Sequence, residues 1–490
     1  IDAWSASSGQ SYAKWGLARR VLLATLLAVS TLGLAGPRRA SASNVVCSAE
    51  SLVAAIEGAN ASAADDILNL AAGCTYWLAM AHNLVSGANG LPVIVDSAVG
   101  GTLTIHGNGA KITRVGARAW LPMLASGAGV SLRISPVSRP SFSPASLSST
   151  PDFRILMVAV GGRLTLDGLS VQNGNLPTGN GGGILNAGAL TVTDSTVTGN
   201  AAAYGGGILN QDGALIIAHS AILSNSANFD GAGINSAGTL VISDSTFSGN
   251  VAQGLGGGVI VPGGALTVID SAFSGNWAHS EFAGGAGMLV MNSTASINRS
   301  LFSGNNTPGA GGGLFLGGSA NALVDDCTFA DNAAGVGGGL WSGGAVTLTH
   351  SSFSGNSAST SFPGGGGGGI AVTGGVLTAG GTLVAGNTSP RGPDISGALH
   401  SLGYNLIGDS THAIISGTTT GNLSDAAATP LNLGPLQDNG GPTLTMALGA
   451  GSVAIDAGDP AFAPPPDFDQ RGPGFPRIVG GRIDIGAYEK

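Results

Sequence analysis

Apolar residues recur at fixed places in a segment of about 25 residues that is repeated along the middle of the chain. The first clear copy, residues 181–200, reads GGGILNAGALTVTDSTVTGN, and seven further copies follow, each closing on an Asn. The successive spacings between these closing Asn residues are 25, 25, 26, 29, 27, 24 and 31. A period in this range is typical of a solenoid, in which each unit buries its apolar face by stacking on its neighbours.

The apolar positions inside each copy predict strands. Two of them lie ten and eight residues before the closing Asn, and a third lies three residues before it; in the first copy they are Leu190, Val192 and Val197. Apolar residues two positions apart indicate a strand with one inward face, and the third position indicates a second strand after a bend. The apolar residue after each Gly run begins the next coil. Because the copies are rich in Gly, Ser, Thr and β-branched residues, helices are excluded and a parallel β-helix is predicted.

The overall composition agrees with a large buried core. The 490 residues include 85 Gly, only 9% of them are charged, 43% are hydrophobic, and the mean hydropathy is +0.32. These values argue against disorder. Collagen is excluded because the Gly residues cluster and do not recur at every third position.

The N-terminal residues 1–42 have the features of a secretory signal peptide. Lys14, Arg19 and Arg20 precede the apolar run 21–35, and small residues follow at 40–42. An uncleaved signal anchor is the alternative. No other apolar run approaches 18 residues, so no transmembrane segment is expected after cleavage, and an extracellular or cell-surface location is predicted. Cleavage would remove one acidic and five basic residues and leave a net charge of −13, which argues against nucleic acid and acidic glycans as partners.

The three Cys residues lead to two predictions. Cys47 and Cys74 flank a predicted amphipathic helix over residues 48–62, and secretion permits a disulfide between them. Cys327 stands in a column of seven residues in which the other six are Ser. A buried free thiol is therefore predicted for Cys327 in preference to a nucleophile.

Two polar columns accompany the apolar ones. Six residues before each Asn lie Asp167, Asp194, His219, Asp244, Asp270, Arg299, Asp326 and His350, counted from Asn173 for the first. One interpretation makes Asp244 and Asp270 an acid and nucleophile pair acting on a glycan, with Arg299 as the one candidate base, or makes the column a line of Ca²⁺ ligands. The other is that these residues cap the bend between two strands, which we favour because the column recurs in every coil. The closing Asn residues are predicted to form a structural ladder: Asn200, Asn225, Asn250, Asn276, Asn305, Asn332 and Asn356.

The C-terminal residues differ in composition from the repeats. SLGYNLIGD at 401–409, the run 433–459, DQRG at 469–472 and DIGAYE at 484–489 resemble the C-terminal domain of bacterial choice-of-anchor Q surface and secreted proteins. The GGGI and FSGN repeats are similar to those of polymorphic outer membrane proteins and of pectate-lyase-like β-helices. The carboxylates of this region are expected to form salt bridges and turn caps, with Ca²⁺ binding as the alternative: Asp438, Asp456, Asp459, Asp467, Asp469 and Asp484, among Arg471, Arg477 and Arg482.

Together these patterns predict an all-β, right-handed, single-stranded parallel β-helix with an N-terminal helical cap and a C-terminal capping domain. The predicted segments are a signal peptide (1–42), the N-terminal cap (43–115), irregular coils with a Ser/Pro-rich loop (116–160), the repeats (161–400) and the C-terminal domain (401–490). The expected function is structural or adhesive, with binding of a glycan or protein at the cell surface and without catalysis, metal or other cofactor. The alternative is a polysaccharide lyase or glycoside hydrolase of the same fold.

Overall fold

The computed structural model describes residues 40–95, 101–115, 151–282, 284–360, 365–425 and 431–490. Most of the predicted signal peptide and the Ser/Pro-rich loop lie outside these residues. The chain divides into Ile1–Ser41 and Ala42–Lys490, and almost all described residues belong to the second unit. No helix in the described part is long and apolar enough to cross a membrane.

Each coil of the second unit consists of three or four short strands joined by turns. In one coil these strands are Ile208–Asn210, Ala214–Ala218, Ala221–Leu223 and Ser226–Ala227, and each pairs in parallel with the equivalent strand of the next coil. We call the four resulting ladders the first, second, third and fourth sheets, in that order. The chain is therefore a parallel β-helix, as predicted.

The first and second sheets contain most of the described strands. The first sheet contains Leu156–Val158, Ile184–Asn186, Ile208–Asn210, Ile234–Ser236, Val259–Val261, Met288–Met291, Leu314–Gly317, Leu340–Ser342 and Ile370–Val372. The second contains Ser41–Val45, Asp66–Leu70, Leu103–His106, Arg163–Asp167, Ala189–Thr193, Ala214–Ala218, Thr239–Ser243, Gly264–Ile269, Ser293–Asn298, Asn321–Asp325, Ala345–Thr349, Val376–Gly380 and Ala413–Thr418. Ile395–Gly403 pairs with strands of both sheets.

The remaining strands form the third and fourth sheets and one antiparallel pair. The third sheet contains Thr75–Leu78, Lys111–Arg114, Ser170–Gln172, Thr196–Thr198, Ala221–Leu223, Thr246–Ser248, Ala272–Ser274, Leu301–Ser303, Thr328–Ala330, Ser352–Ser354, Leu383–Val384, Leu406–Ile407 and Leu423–Ser424. The fourth contains Asn175–Asn180, Ala201–Tyr204, Ser226–Ala227, Val251–Ala252 and Trp277–Ala278, and continues as the separate pair Ala333–Ala334 and Ser357–Ala358. An antiparallel pair, Leu433–Gln437 and Thr445–Leu448, lies near the C-terminus.

The register of the strands aligns the apolar columns that the sequence predicts. Leu190 pairs with Leu215, Val192 with Ile217 and Val197 with Ile222, and these pairings continue coil by coil. The clearest stack is formed by five fully buried Phe rings, whose successive centroids are 4.8, 4.9, 4.8 and 4.3 Å apart: Phe247, Phe273, Phe302, Phe329 and Phe353. The core is thus a set of like-on-like columns running through the coils.

A helix, Ala49–Ala61, precedes the first full coil. Ser48 caps its N-terminus by accepting a hydrogen bond from the Ser51 N–H, and Leu52 and Ile56 are buried in the same core as the coils. A disulfide joins Cys47 to Cys74, with their Cα atoms 5.7 Å apart. Because Cys74 directly precedes the third-sheet strand Thr75–Leu78, the bond ties the start of the helix to the coils.

The coils extend further in both directions than the repeat pattern indicates. Asp66–Leu70 pairs with Leu103–His106, which pairs with Arg163–Asp167, so part of the region assigned to the N-terminal cap is already β-helix. At the other end Ala413–Thr418 and Leu423–Ser424 continue the second and third sheets beyond residue 400. These strands keep the inward apolar residues but lack the Gly runs and closing Asn that identify a repeat.

The C-terminal residues 431–490 pack against the outside of the third sheet. Leu448, Ala454 and Ile485 form a separate apolar cluster with Leu383 and Leu406 of the coils. The backbone also joins the two parts, because the Gly486 N–H donates to the Gly381 carbonyl at 2.9 Å. This packing places charged C-terminal side chains beside the polar column.

Candidate functional site

The polar column is a column of left-handed turns between the second and third sheets. From Asp194 to His350 its seven residues have φ between +44° and +53°. Asp and Asn adopt this conformation more readily than most residues other than Gly. Gly381, with φ +60°, takes the same place one coil after His350. The backbone therefore determines where the column lies, whatever its side chains bind.

The structure corrects one member of the column. Asp167 pairs with Thr193, and Gly168, with φ +67°, occupies the left-handed position beside Asp194. Asn173 is not the closing position of its coil, because Gln172 pairs with Thr198 and so Gly174 lies opposite Asn200. Asp167 instead has its carboxylate 2.7 Å from Nδ1 of His106.

The proposed catalytic residues lie together in the middle of the column, but two of them bind each other. Arg299 donates from Nε and Nη2 to the two carboxylate oxygens of Asp270, at 2.8 and 2.7 Å. Burial alone would lower the pKa of Arg299, but its hydrogen bonds and charge interaction with Asp270 raise that pKa. Arg299 is therefore held in its protonated form and is a poor general base.

Asp244 lies on the other side of Asp270 and next to His219, whose Nε2 is 3.8 Å from its carboxylate. Partial burial and the charge of Asp270 raise the pKa of Asp244, and His219 and Arg299 oppose this. The Asp270 carboxylate, as the bidentate partner of Arg299, is not the free second carboxylate that a glycosidase requires.

The far end of the column is buried under the C-terminal residues. The Asp325 carboxylate accepts a hydrogen bond from the Thr349 hydroxyl at 2.6 Å and lies 3.1 Å from Nδ1 of His350. Burial alone would raise the pKa of Asp325, but His350 and the Thr349 hydroxyl lower it. Burial lowers the pKa of His350. The arrangement therefore favours an ionised Asp325 accepting from a neutral His350.

Asp326 faces Arg477. The Asp326 Oδ1 and Arg477 Nη1 atoms are 3.6 Å apart, and neither atom has a hydrogen-bond partner. Burial, followed by the charge of Asp325, raises the pKa of Asp326 well above its usual value, although Arg477 opposes the rise. Asp325, Asp326 and His350 could hold a metal ion by distance alone, since their ligand atoms lie within 4.8 Å of one another. Arg477 already supplies positive charge there, and three ligands are fewer than the six to eight oxygens that Ca²⁺ takes.

The C-terminal motifs converge on one another. Arg471 makes a bidentate contact with Asp469, and its guanidinium lies between the rings of Phe475 and Tyr488, 4.1 and 3.9 Å from their centroids. The Glu489 N–H donates to the same Asp469 carboxylate at 2.8 Å. DQRG and DIGAYE therefore build one packed unit.

That unit also contacts the coils. The Thr328 hydroxyl is hydrogen-bonded to the Gln470 side chain, and Ser352 Oγ accepts from the Ala487 N–H.

The remaining carboxylates of the described C-terminal residues do not converge on a metal site: Asp438 and Asp459 cap their own turns, and Asp484 accepts from the Asp456 N–H. Contact between Arg477 and the column was not predicted, because no local sequence signal pairs residues so far apart.

The closing Asn residues form a buried ladder. In each step one Asn donates from Nδ2 to the Oδ1 of the next, at 2.8 to 3.0 Å, and the same oxygen accepts the backbone N–H of the first. The ladder comprises Asn200, Asn225, Asn250, Asn276, Asn305, Asn332 and Asn356, and passes to Asn387. The Ser column beside it contains the buried free Cys327, and burial raises the pKa of this thiol.

Aromatic side chains are exposed on the fourth sheet and in the turns that follow it. Tyr204 stacks on Phe229, with ring centroids 5.1 Å apart, and Trp277 stacks on His279 at 5.2 Å. Trp277 follows the closing Asn276 directly, and Tyr204 and Phe229 both lie four residues after a closing Asn. Extending the repeat alignment past the Asn would have identified this strip.

The comparisons with known proteins concern the coils. Residues 183–389 match the family model described as "Right handed beta helix region". Among solved structures, the crystal structure of the pectate lyase Pel9A is similar at a TM-score of 0.40 and 13% identity, over 89% of this chain and 90% of that chain. No curated protein matches the sequence. The family match, together with the parallel ladders, identifies the fold as a right-handed parallel β-helix.

Proposed function

We propose that this protein is a secreted or cell-surface β-helix protein that adheres to a glycan or to another surface component without catalysis. The observation that carries the proposal is the bidentate pair of Arg299 and Asp270. Arg299 is the one Lys or Arg residue between positions 181 and 390. A lyase on these coils would need a base there, and this one is protonated and bound.

Secretion is supported by two features of the N-terminal region. The apolar run at 21–35 and the small residues at 40–42 fit a signal peptide. The disulfide between Cys47 and Cys74 fits an oxidising compartment. The choice-of-anchor Q-like motifs are consistent with a surface protein, and the unit that they build contacts the coils at Thr328 and Ser352.

The enzyme alternative, a polysaccharide lyase or glycoside hydrolase, depends on Asp244. Its raised pKa is a property that catalytic acids share. In the proposal the raised pKa of Asp244 reflects partial burial and, after it, repulsion by Asp270 along a structural column.

The test is a panel of neutral and uronate-containing polysaccharides offered to the secreted protein. Binding would be measured by co-sedimentation, and cleavage by new reducing ends and by the absorbance of unsaturated uronates. We expect binding to at least one polysaccharide and no product from any. Product release that stops when Asp244 or Arg299 is replaced would overturn the proposal in favour of the enzyme.

A further inference from the structure

The fourth-sheet face carries large aromatic side chains that the β-helix does not bury. Phe229 is 53% exposed, Trp277 42% and Tyr204 37%. Their rings are ordered by stacking, Tyr204 on Phe229 and Trp277 on His279. Exposed aromatic residues grouped on one face are typical of an interaction site.

A groove opens beside Trp277. The three coils that follow place Asn306, Ala333 and Ser357 in register with Trp277. Because these side chains are much smaller, the indole forms a wall at one end of the groove. The groove has a volume of about 360 Å³, which lies within the range of small-molecule sites.

The lining of the groove combines this aromatic wall with small polar groups. Hydroxyl and amide groups are supplied by Asn306, Ser357 and Ser359, whereas the buried Thr307 hydroxyl already accepts from the Gly309 N–H. The remaining lining residues are Ala and Pro apart from His279. None of the described lining residues is Asp, Glu, Lys or Arg. A polyanion would find no cation here, and the net charge of −9 would repel it.

We propose that this groove binds a neutral glycan, which deepens the proposed function and rests on it. A pyranose ring presents C–H groups on its faces and hydroxyls around its edge. The indole of Trp277 packs on a face of one ring, and the amide and hydroxyl groups of the lining bond to its edge. Because the described lining has no Lys or Arg and the protein is negatively charged, the groove binds a neutral sugar in preference to a uronate polymer.

The position of the second aromatic pair extends the site along the rod. Phe229 lies two coils before the coil of Trp277, a distance of about 10 Å along the axis at one strand spacing per coil. Phe229 lies four residues after its closing Asn and Trp277 one residue after, so a polysaccharide that contacts both would cross the coils obliquely to the axis.

The test compares titrations of the secreted full-length protein with neutral hexasaccharides of β-1,4-glucose, β-1,4-mannose and α-1,4-glucose, and with hexagalacturonate as the anionic probe. We expect at least one neutral hexasaccharide to bind and Trp277→Ala to weaken it about tenfold or more. Trp277→Phe should keep most of the affinity. Trp77→Ala is the matched control, since Trp77 is 41% exposed and lies on the third sheet.

Each outcome separates this inference from the proposed function. If wild type and Trp277→Ala bind equally and have the same circular dichroism spectrum, the groove is not the binding site, and the proposed adhesive function is unaffected. Preference for hexagalacturonate, failure to bind any neutral probe, or Trp277-dependent binding of a protein in place of a glycan would overturn the ligand class. Cleavage of a probe would overturn the proposed function itself.

Discussion

Arg477 Nη1 lies 3.6 Å from Asp326 Oδ1, with the Arg side chain fully buried and the Asp side chain 3% exposed. The two residues are 151 positions apart, one at a coil turn and one in the C-terminal unit. Arg477 also donates from Nη2 to the Gly486 carbonyl, which precedes the Ala487 N–H bound to Ser352. The ion pair therefore lies where the C-terminal unit meets the coils.

Arg477→Met should destabilise the protein strongly. Removing one partner of a buried pair leaves the other charge uncompensated, and the expected loss is about 3–5 kcal/mol in the free energy of unfolding. The double variant Arg477→Met with Asp326→Asn should recover part of that loss. Urea unfolding followed by circular dichroism measures both, with Arg163→Met as an exposed control. Equal losses in the single and double variants would show that Asp326 is not the partner.

The pH dependence of stability should include a contribution from Glu489. Burial, followed by the charge of Asp484, raises the pKa of Glu489 from 4.5 to about 7. Since the folded state holds this proton more tightly than the unfolded state does, the group's contribution is fully present below pH 4.5 and is lost as the pH rises to about 7. Glu489→Gln should therefore flatten the fall in stability over this interval.

Thermal unfolding at several pH values from 4 to 8 would measure this effect, with exposed Glu281→Gln as the control. A variant that keeps the wild-type slope between pH 5 and 7 would contradict the assignment to Glu489.

The coils can be predicted well from the sequence because each inward-facing position recurs as an apolar residue in several copies of the repeat. Phe302 is located by Phe273 and Phe329 in adjacent copies, and the structure stacks all three rings. The repeat pattern misplaces Asp167 because Gly174, and not Asn173, lies opposite Asn200. Nothing in the repeat pattern distinguishes Asp326 from Asp194, Asp244 and Asp270 of its column. Only packing of the C-terminal unit distinguishes it, and that packing joins residues that no periodic pattern relates.

Phe302→Ala tests the aromatic stack directly. The ring is fully buried between Phe273 and Phe329, so truncation should cost about 3–5 kcal/mol through lost burial and a cavity. Phe302→Asp would place a charge among apolar rings and should prevent folding. Phe282→Ala is the control because that ring is 91% exposed. Unchanged melting of Phe302→Ala would mean that the column does not face the core.

The last prediction concerns Asp244 and Asp270. They occupy the same position of the repeat, but only Asp270 forms a bidentate pair with Arg299. Because two adjacent carboxylates repel, the repeat pattern alone predicts that replacing both with Asn leaves stability unchanged or slightly higher. Since Asp270 is bound to Arg299, we predict this result for Asp244 alone. Its raised pKa means that ionisation disfavours the folded state, so Asp244→Asn should match or exceed wild-type stability at neutral pH and lose that advantage below about pH 4.

Asp270→Asn should instead lower stability, since Arg299 loses its bidentate partner. The pair is partly exposed, at 15% for Asp270 and 24% for Arg299, so the expected loss is about 1 kcal/mol. Neither variant, nor the double variant, should abolish an enzymatic activity, because the column's left-handed backbone recurs with His219 and Arg299 in the same place. Melting curves and the polysaccharide panel check both statements. If the wild-type protein degrades a polysaccharide and the folded double variant does not, Asp244 and Asp270 are catalytic and the protein is an enzyme.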